Sequence, residues 1–436
     1  MLIIVNYARC GIMESGPPGE RRPRGRRVTG RVTEWIGAAE AAERLGIKQA
    51  SLYAYVSRGM LERRREAGSR ESLFDAEEIA RLARKGRPRR SPAGAQLIIE
   101  SSLTEITGDQ LRFRGHDVIG LARQRAFEEV ATLLWTGALE PGDPAGWLAT
   151  PQALAAGQAA QAALPASTLP LERLQVIVPA LAATDPLRLH LDRSAVMAAG
   201  RALIAGMVGS LPQAGGSPDG VTGPGPIAGR LTRTLCPGPL SEGLLSAVQT
   251  ALVLLADHEL AASTLAARVA ASVRADPYAV VATGLGAVGG ALHGGAALGA
   301  EVMLGSAAGP ADAPRVVGEL LRRGERIPGF GHFVYKSGDP RAVLLLQVIA
   351  EHAPDSPRLA VARAVVAEVH RRALPEPNID FALATLAGVA GMVPGAGEAI
   401  FAVARTAGWI AHAMEEYDRN APIRPRGIYT GPAFQP

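Results

Sequence analysis

The sequence predicts a mainly α-helical protein, and three observations carry this prediction. Hydrophobic residues make up 47% of the 436 residues, whereas aromatic residues make up only 4%. The apolar residues, many of them alanine, recur at helical spacing rather than in the alternation typical of half-buried strands. This helical period continues from Val118 almost to the end of the chain. It is interrupted by Pro- and Gly-rich connectors at residues 140–146 and 213–225. A chain of this length can form two or three domains.

The first 85 residues differ in composition from the rest. Residues 1–30 combine Pro, Gly and Arg without a hydrophobic period, which predicts a disordered basic arm. Within residues 31–85, two short helices joined at Gly46 and followed by a small wing at residues 61–74 are typical of a winged helix-turn-helix. The run Ala41-Ala42-Glu43-Arg44-Leu45-Gly46-Ile47 resembles those of excisionase-like and mercury-regulator-like proteins.

This N-terminal module has two interpretations. If it binds DNA, the groove and phosphate contacts are expected from Lys48, Gln49, Ser51 and Arg58, flanked by two arginine clusters. Alternatively, the module contacts another protein or packs on the main body. Residues 86–92 have the composition of a linker. After it, two short strands joined by a turn at Gly108-Asp109 are predicted.

Composition also indicates the cellular context. Cys10 and Cys236 lie far apart, so the sequence suggests neither a disulfide framework nor a metal site built on cysteine. No apolar stretch is clearly able to span a bilayer. The net charge of +5 is unevenly distributed, and only the N-terminal part is strongly basic. We therefore expect a soluble, cytoplasmic protein that does not bind membranes or a metal.

The segment from Pro328 to Arg341, Pro-Gly-Phe-Gly-His-Phe-Val-Tyr-Lys-Ser-Gly-Asp-Pro-Arg, has the composition of a binding site. Its glycines allow the backbone to approach a ligand or adopt positive φ, and its prolines stiffen the turns. Its histidine can exchange a proton near neutral pH, and its arginine offers a fork that matches a carboxylate or phosphate. The alternative is a surface turn with incidental charges.

Three further segments place ionisable residues in apolar surroundings: Asp257-His258-Glu259 at the end of an apolar helix, Asp380 just before a long apolar helix, and Arg405 inside one. Desolvation would raise the pKa of Asp380 and make it a better base. The alternative is that Asp380, or Asn378 beside it, only caps the helix. The buried arginine needs an anionic partner, which either a structural carboxylate or a substrate can supply.

The run from Gly284 to Gly289 contains a formal GxGxxG. A dinucleotide site requires a preceding strand within a βαβ unit, and the surrounding sequence predicts alanine-rich helices instead. We therefore expect these glycines to let two helices pack closely and to expose His293 at a helix terminus.

Taken together, these segments resemble citrate synthase over about residues 91–431. The resemblance implies a mostly α-helical homodimer, with a large domain at residues 93–293 and 381–436 and a small domain at residues 294–380 that closes over the substrates. Seven motifs carry it, in the family's order and spacing: Ala256-Asp257-His258-Glu259, Leu292-His293-Gly294-Gly295-Ala296, Pro328-Gly329-Phe330-Gly331-His332, Asp339-Pro340-Arg341, Asn378-Ile379-Asp380-Phe381, Val403-Ala404-Arg405-Thr406-Ala407-Gly408-Trp409 and Arg424-Pro425-Arg426.

The resemblance also implies catalytic roles. Asp380 would take a proton from the methyl group of acetyl-CoA, and His293 would hydrogen-bond the thioester oxygen as enolate character develops. His332 would polarise and protonate the keto oxygen of oxaloacetate. No cofactor is implied, because acetyl-CoA is a co-substrate.

The remaining implied roles concern binding. The carboxylates of oxaloacetate would be held by His258, Arg341, Arg405 and Arg424, the last reaching across the dimer. CoA would be bound by Gly329, Gly331 and Lys336, with Lys336 meeting a phosphate.

Three positions depart from the family's commonest pattern: Ala297, Phe333 and the run Phe381-Ala382-Leu383-Ala384. We expect them to border the pocket and to affect substrate choice. The leading prediction is the synthesis of citrate. The alternatives are 2-methylcitrate synthesis from propionyl-CoA, citryl-CoA cleavage, and a DNA-binding regulator that uses the same body as a metabolite sensor.

Overall fold

The computed structural model describes residues 34–45, 52, 56, 61, 63–65, 72–80, 98–141, 146–215, 223–239, 241–290, 293 and 295–432. The chain divides into two compact units, Met1–Leu97 and Ile98–Pro436. The predicted basic arm, the linker and the four DNA-contact candidates (Lys48, Gln49, Ser51 and Arg58) lie outside the described residues. The predicted domain bounds stay predictions.

The N-terminal unit contains a three-stranded antiparallel sheet. Strands β1 (Trp35–Gly37), β2 (Arg63–Arg65) and β3 (Ser72–Asp75) lie in the order β1-β3-β2, and helix α1 spans Ala38–Leu45. The carboxylate of Asp75 accepts the backbone N–H groups of Glu77 (2.8 Å) and Glu78 (3.4 Å), so it caps the helical residues 76–80. Side chains from both the sheet and the helices form a separate small core: Ile36, Ala41, Leu52, Leu61, Phe74, Ala76 and Ile79.

The C-terminal unit begins with a small sheet and continues in helices. Strands β4 (Thr104–Thr107) and β5 (Gln110–Phe113) form the predicted hairpin, with Gly108 at a φ of +60°, and β6 (His116–Asp117) pairs with β5. The helices are α2 (Val118–Gln124), α3 (Phe127–Thr136), α4 (Pro151–Ala162), α5 (Pro170–Ala182), α6 (Arg193–Ser210), α7 (Ile227–Leu235), α8 (Glu242–Leu255), α9 (Ala262–Ser272), α10 (Pro277–Val288), α11 (Gly295–Gly305), α12 (Ala313–Arg322), α13 (Pro340–His352), α14 (Pro357–Arg371), α15 (Ile379–Ala390) and α16 (Ala396–Arg419).

Side-chain caps explain where many of these helices begin. Asp117, Thr150, Asp192, Ser241 and Asp276 each precede a helix and accept a backbone N–H from its first turn. The predicted helical character from Val118 onward is confirmed. Within the described residues, no helix has the length and apolar character needed to cross a membrane.

Helix α16 lies at the centre of the large hydrophobic core. Its residues from Ala396 to Met414 are all buried, and they include Arg405 and His412. A helix that is buried on every side must be apolar on every side, so each polar residue in it needs a specific partner. Those partners, described below, join α16 to the segment that follows α8.

The glycines of the GxGxxG run lie within α10 and the turn after it, as the sequence predicted. A Cβ added at Gly284 would lie 2.7 Å from the ring of Trp409, so this glycine lets α10 approach α16 closely. His293 lies two residues before α11, at the expected helix terminus.

A second hydrophobic core lies between α11, α12, α14 and the beginning of α15. It contains residues from Ala300 to Val369 together with Phe381 and Ala384. The glycine loop, residues 327–333, connects this core with the beginning of α15, because Ile327 and Phe330 pack on it. The candidate site lies beside this loop.

Candidate active site

One cavity of about 550 Å³ brings together most of the predicted site residues. Its walls come from the segment between α8 and α9, the start of α11, the glycine loop, the start of α15, and α16. The predicted residues that line it are His258, His293, Gly329, Gly331, His332, Arg341, Asp380 and Arg405. Segments more than 140 residues apart in the sequence therefore meet around one space.

Asp380 lies in the first turn of α15 and faces the cavity. Asn378 is the N-cap of this helix, since its Oδ1 accepts the backbone N–H groups of Asp380 (3.0 Å) and Phe381 (3.4 Å). Capping is therefore done by Asn378, which leaves the carboxylate of Asp380 available. Burial raises the pKa of Asp380 to about 7, although Arg341 and Arg405 act in the opposite direction. A carboxylate with this pKa is suited to accept a proton near neutral pH.

The glycine loop is fixed against the start of α15. Gly329 and Gly331 have φ values of +79° and +78°, which glycine adopts at little cost. The backbone N–H of Asn378 donates to the carbonyl of Gly329 (2.9 Å), and its side-chain Nδ2 donates to the carbonyl of Gly331 (2.9 Å). These bonds place His332, the next residue, in the wall of the cavity that Asp380 also lines.

His332 is held as a neutral imidazole. Its Nδ1 accepts the backbone N–H groups of Val334 (3.1 Å) and Tyr335 (3.2 Å), so the proton of the neutral ring is on Nε2. Burial and the neighbouring Arg341 lower the pKa of His332 to about 4, against an opposing effect of Asp339. A neutral ring with this tautomer can donate one hydrogen bond from Nε2.

His293 is also neutral near pH 7. Burial, followed by the charge of Arg405, lowers its pKa to about 4. Its Nε2 lies 2.8 Å from Oγ of Ser263, a buried residue in α9. The ring packs edge-on against Phe401, with centroids 5.6 Å apart. One nitrogen is thus anchored to the protein, and the ring is oriented for a contact through the other.

Arg341 and His258 form the polar side of the cavity. Arg341 makes two hydrogen bonds to Asp339, at 2.9 Å and 2.8 Å, and its Nη2 lies 3.4 Å from Nε2 of His332. His258 Nε2 lies 3.0 Å from the hydroxyl of Tyr335. Burial, followed by Arg341 and Arg405, lowers the pKa of His258 well below its ordinary value, so this ring is uncharged. His258 therefore adds no positive charge to that of the guanidinium groups.

Arg405 supplies a second positive charge to the cavity. Its Nε donates to the carbonyl of Leu255 (2.8 Å), and its guanidinium carbon lies 4.6 Å from the ring centroid of Phe401. Burial lowers its pKa to about 10, whereas the nearby carboxylate of Asp257 raises it. The anionic partner that the sequence required is thus at least partly structural. Two buried guanidinium groups beside neutral histidines make a cavity suited to an anion with two carboxylates.

Two predicted site residues do not line this cavity. Arg424 is exposed in the segment after α16. Lys336 is exposed with its Nζ 5.4 Å from the ring centroid of Phe333, and it borders a separate space of about 190 Å³ behind the loop. Phe333, which is 91% exposed, borders both the main cavity and an adjoining one of about 530 Å³.

The expectation that all three departures from the family pattern border the pocket was wrong for two of them. Ala297 is buried and faces Gly397 of α16, and residues 381–384 are buried in helix packing. Neither lines the cavity, because each lies on the side of its helix that packs against other helices. Only Phe333 is placed where it can contact a ligand.

Several residues of the site were missed by reasoning from the sequence. Tyr335 contacts His258, Ser263 contacts His293, and Phe401 contacts both His293 and Arg405. Tyr335 lies within the predicted binding segment from Pro328 to Arg341 and could have been found there. Ser263 and Phe401 carried no signal, because a serine or phenylalanine in an apolar helix has no distinctive pattern. Among the described residues, no group of three or more His, Cys, Asp or Glu side chains is arranged to hold a metal.

Comparisons with known proteins identify one family. Residues 94–426 match the family model "Citrate synthase, C-terminal domain". A citrate synthase from Haloferax volcanii is 34% identical over 355 residues, which cover 77% of this chain and 94% of the relative. A 2-methylcitrate synthase from Mycobacterium tuberculosis is 31% identical over 341 residues, which cover 74% of this chain and 85% of the relative.

The fold is also similar to that of solved structures. A crystal structure of citrate synthase from Pyrobaculum aerophilum aligns with a TM-score of 0.65 and 26% identity, over 80% of this chain and 95% of that chain. The family model alone matches well over half of the sequence, and its match includes the segments that line the cavity described above. The chain belongs to the citrate synthase family.

Proposed function

We propose that this protein is an acyltransferase that condenses acetyl-CoA with oxaloacetate to give citrate and CoA. The observation that carries the proposal is the cavity in which Asp380, with a pKa raised to about 7, faces two neutral histidines and two buried arginines. Proton abstraction next to a thioester needs a base and a hydrogen-bond donor for the enolate oxygen, and a dicarboxylate needs cations.

The first step forms the nucleophile. Asp380 removes a proton from the methyl carbon of the thioester, and the electron pair moves onto the carbonyl oxygen. His293, which is anchored through Nε2 to Ser263, donates a hydrogen bond to that oxygen from its other nitrogen. A neutral donor is appropriate here, because it stabilises the developing charge without first losing a proton to solvent.

The second step forms the carbon–carbon bond. The enolate carbon attacks the keto carbon of oxaloacetate, and the keto oxygen takes the proton from Nε2 of His332. His332 then regains a proton, and Asp380 releases the one it took from the methyl group, which resets both side chains. Arg341, Arg405 and His258 hold the two carboxylates so that the keto group lies between the acid and the base. Water then cleaves the citryl thioester to release citrate and CoA. These steps use side chains and the two substrates, so acetyl-CoA enters as a co-substrate and no cofactor is proposed.

The CoA moiety is proposed to occupy the adjoining cavity, which shares Phe330 and Phe333 with the main one. The backbone at Gly329 and Gly331 allows close approach of the thioester arm, and Lys336 is proposed to meet a phosphate. We further propose a homodimer in which the exposed Arg424 completes the dicarboxylate site of the second copy.

A thiol-release assay with oxaloacetate tests the proposal. We expect CoA release from acetyl-CoA that depends on both substrates, together with citrate as the product. No release from any short acyl-CoA would contradict the reaction. The assay must be repeated with propionyl-CoA in place of acetyl-CoA, because a 2-methylcitrate synthase is among the relatives. A higher kcat/KM for propionyl-CoA than for acetyl-CoA would change the assignment to 2-methylcitrate synthesis.

A second candidate function concerns the N-terminal unit. Its described strands form a β1-β3-β2 antiparallel sheet next to α1, and exposed Arg63 and Arg64 lie on the strand proposed as the wing. We propose that it is a winged helix-turn-helix that binds DNA. A gel-shift assay over a range of salt concentrations is the test, since phosphate contacts weaken steeply with salt. Absence of a shift at low salt would contradict DNA binding.

A further inference from the structure

A buried polar network behind the cavity joins His258 to helix α16, and the steps proposed above do not use it. Its centre is the carboxylate of Asp257, which is fully buried. The hydroxyl of Thr104 in β4 donates to Oδ2 of Asp257 at 2.5 Å. His412 of α16, also fully buried, places Nε2 at 3.2 Å from Oδ1 and 3.3 Å from Oδ2.

The hydrogen-bonding partners of His412 fix its tautomer. Its Nδ1 lies 2.6 Å from Nη1 of Arg268, and an arginine can only donate. Nδ1 therefore accepts, and the proton of the neutral ring is on Nε2, directed at Asp257. Arg268 is itself held by Glu416 (2.6 Å) and Glu415 (2.7 Å), so the cation has its own counter-charges. His412 thus acts as an uncharged donor to a charged carboxylate.

The contacts along α16 follow a regular spacing. Nε of Arg405 donates to the carbonyl of Leu255, the backbone N–H of Gly408 donates to the carbonyl of Ala256 (2.9 Å), and His412 donates to Asp257. Positions i, i+3 and i+7 lie on one face of a helix, so three successive residues of the segment are bound by that face. A Cβ at Gly408 would clash with the second and third of these residues.

The residue that follows this bound segment is His258, which lines the cavity. The backbone position of His258 is therefore set by the three contacts, and its ring is held from the opposite side by Tyr335. Without His412, the buried carboxylate of Asp257 would keep only the side-chain hydrogen bond from Thr104, and the loss of a partner from a buried charge is costly enough to displace the segment.

We propose that His412 is a positioning residue for dicarboxylate binding, because its hydrogen bond to Asp257 holds the segment that presents His258 and anchors Arg405. The inference rests on the proposed function in assigning His258 and Arg405 to the substrate carboxylates. It adds a residue that does not line the cavity and does not touch the substrate.

Three variants test the inference in the full chain, with oxaloacetate as the probe in calorimetry. His412→Leu removes both the N–H that is donated to Asp257 and the nitrogen that accepts from Arg268. We expect the affinity of this variant for oxaloacetate to fall by about tenfold or more. His412→Gln offers an amide N–H to Asp257 and an amide oxygen to Arg268, so its affinity should stay within about threefold of the wild type. Thr104→Val removes the other side-chain hydrogen bond to the carboxylate of Asp257, and we expect its affinity for oxaloacetate to fall several-fold.

Controls separate positioning from general destabilisation. Tyr417→Phe removes a different hydrogen bond of α16, the one to the carbonyl of Ala275 (2.6 Å), and should leave oxaloacetate affinity unchanged. In the thiol-release assay, the KM for acetyl-CoA should change by less than about twofold in every variant that binds oxaloacetate more weakly. If His412→Leu does not fold, Thr104→Val decides the question in its place.

Wild-type affinity in folded His412→Leu, or equal losses in the Gln and Leu variants, would overturn the inference. A loss of oxaloacetate affinity in Tyr417→Phe as large as that in His412→Leu would also overturn it. Binding of oxaloacetate by the wild type without thiol release would overturn only the proposed reaction, since the comparison of affinities does not depend on turnover.

Discussion

Replacement of Asp380 by asparagine separates the catalytic role of this residue from its effect on stability. Asparagine has nearly the same shape but cannot accept a proton. General bases contribute about 10²- to 10⁴-fold to rates, so we expect kcat for thiol release to fall by about that factor. The KM for oxaloacetate should change little, because Arg341 and Arg405 remain in place.

The same substitution should stabilise the fold at alkaline pH. Burial raises the pKa of Asp380 to about 7 from an ordinary value of 3.8. The folded state therefore binds the proton more tightly than the unfolded state, and stability falls as the pH rises between these two values. The difference between the two pKa values corresponds to a loss of about 4 kcal/mol at most in unfolding free energy, reached when the carboxylate is fully ionised. Asparagine carries no charge, so the variant should gain about 2–4 kcal/mol over the wild type at pH 8 and much less at pH 4.

Two measurements check this prediction. Thermal or denaturant unfolding of both proteins at several pH values gives the difference in stability, and the difference should grow from about pH 4 to pH 7. The wild-type kcat/KM should rise as the pH increases through about 7, since the base acts when deprotonated. The surface carboxylate of Asp355 provides the control, because Asp355→Asn should change neither quantity. An Asp380→Asn variant that keeps more than a tenth of the wild-type kcat, or that is less stable at pH 8, would refute the reasoning.

Two further substitutions address the glycine loop and the dicarboxylate side. In Gly329→Ala, the new Cβ would lie 2.9 Å from the Cα of Phe381 at a φ of +79°, so we expect a loss of about 1–3 kcal/mol in unfolding free energy and a fall in kcat. Thermal unfolding should show no such loss in Gly309→Ala, where the added atom has nothing within 4 Å. In Arg341→Lys, the two bonds to Asp339 are lost together with the planar fork, and the KM for oxaloacetate should rise by about 10- to 100-fold. An unchanged KM would show that this guanidinium does not hold the substrate.

Much of the site could be predicted from the sequence, because its residues stand in ordered motifs with distinctive chemistry. Asp380, His293 and His332 line one cavity as expected, although their roles stay predictions. The glycine loop was recognised from composition alone, and the positive φ of Gly329 gives the physical reason for that composition. The GxGxxG run was correctly assigned to helix packing, since it lies in the last turns of α10 and directly after them.

The rest could not be predicted, because it depends on which face each side chain turns towards. Asp257, His258 and Glu259 are adjacent in sequence, yet the first is buried behind the cavity, the second lines it, and the third is exposed. Adjacent residues in an irregular segment follow no period that would separate these environments. The same limit explains the wrong expectation for Ala297, whose place in the helix packing is set by Gly397 of α16.

The side-chain amide of Asn378 has a mechanical consequence for the reaction. Its oxygen accepts a hydrogen bond from the first turn of α15, which carries Asp380, and its nitrogen donates to the carbonyl of Gly331, the residue before His332. Asp380 and His332 are thus both connected to the side-chain amide of Asn378, so we expect them to move together. We therefore expect the proposed base and the proposed acid to keep a fixed separation during the proposed closure of the small domain.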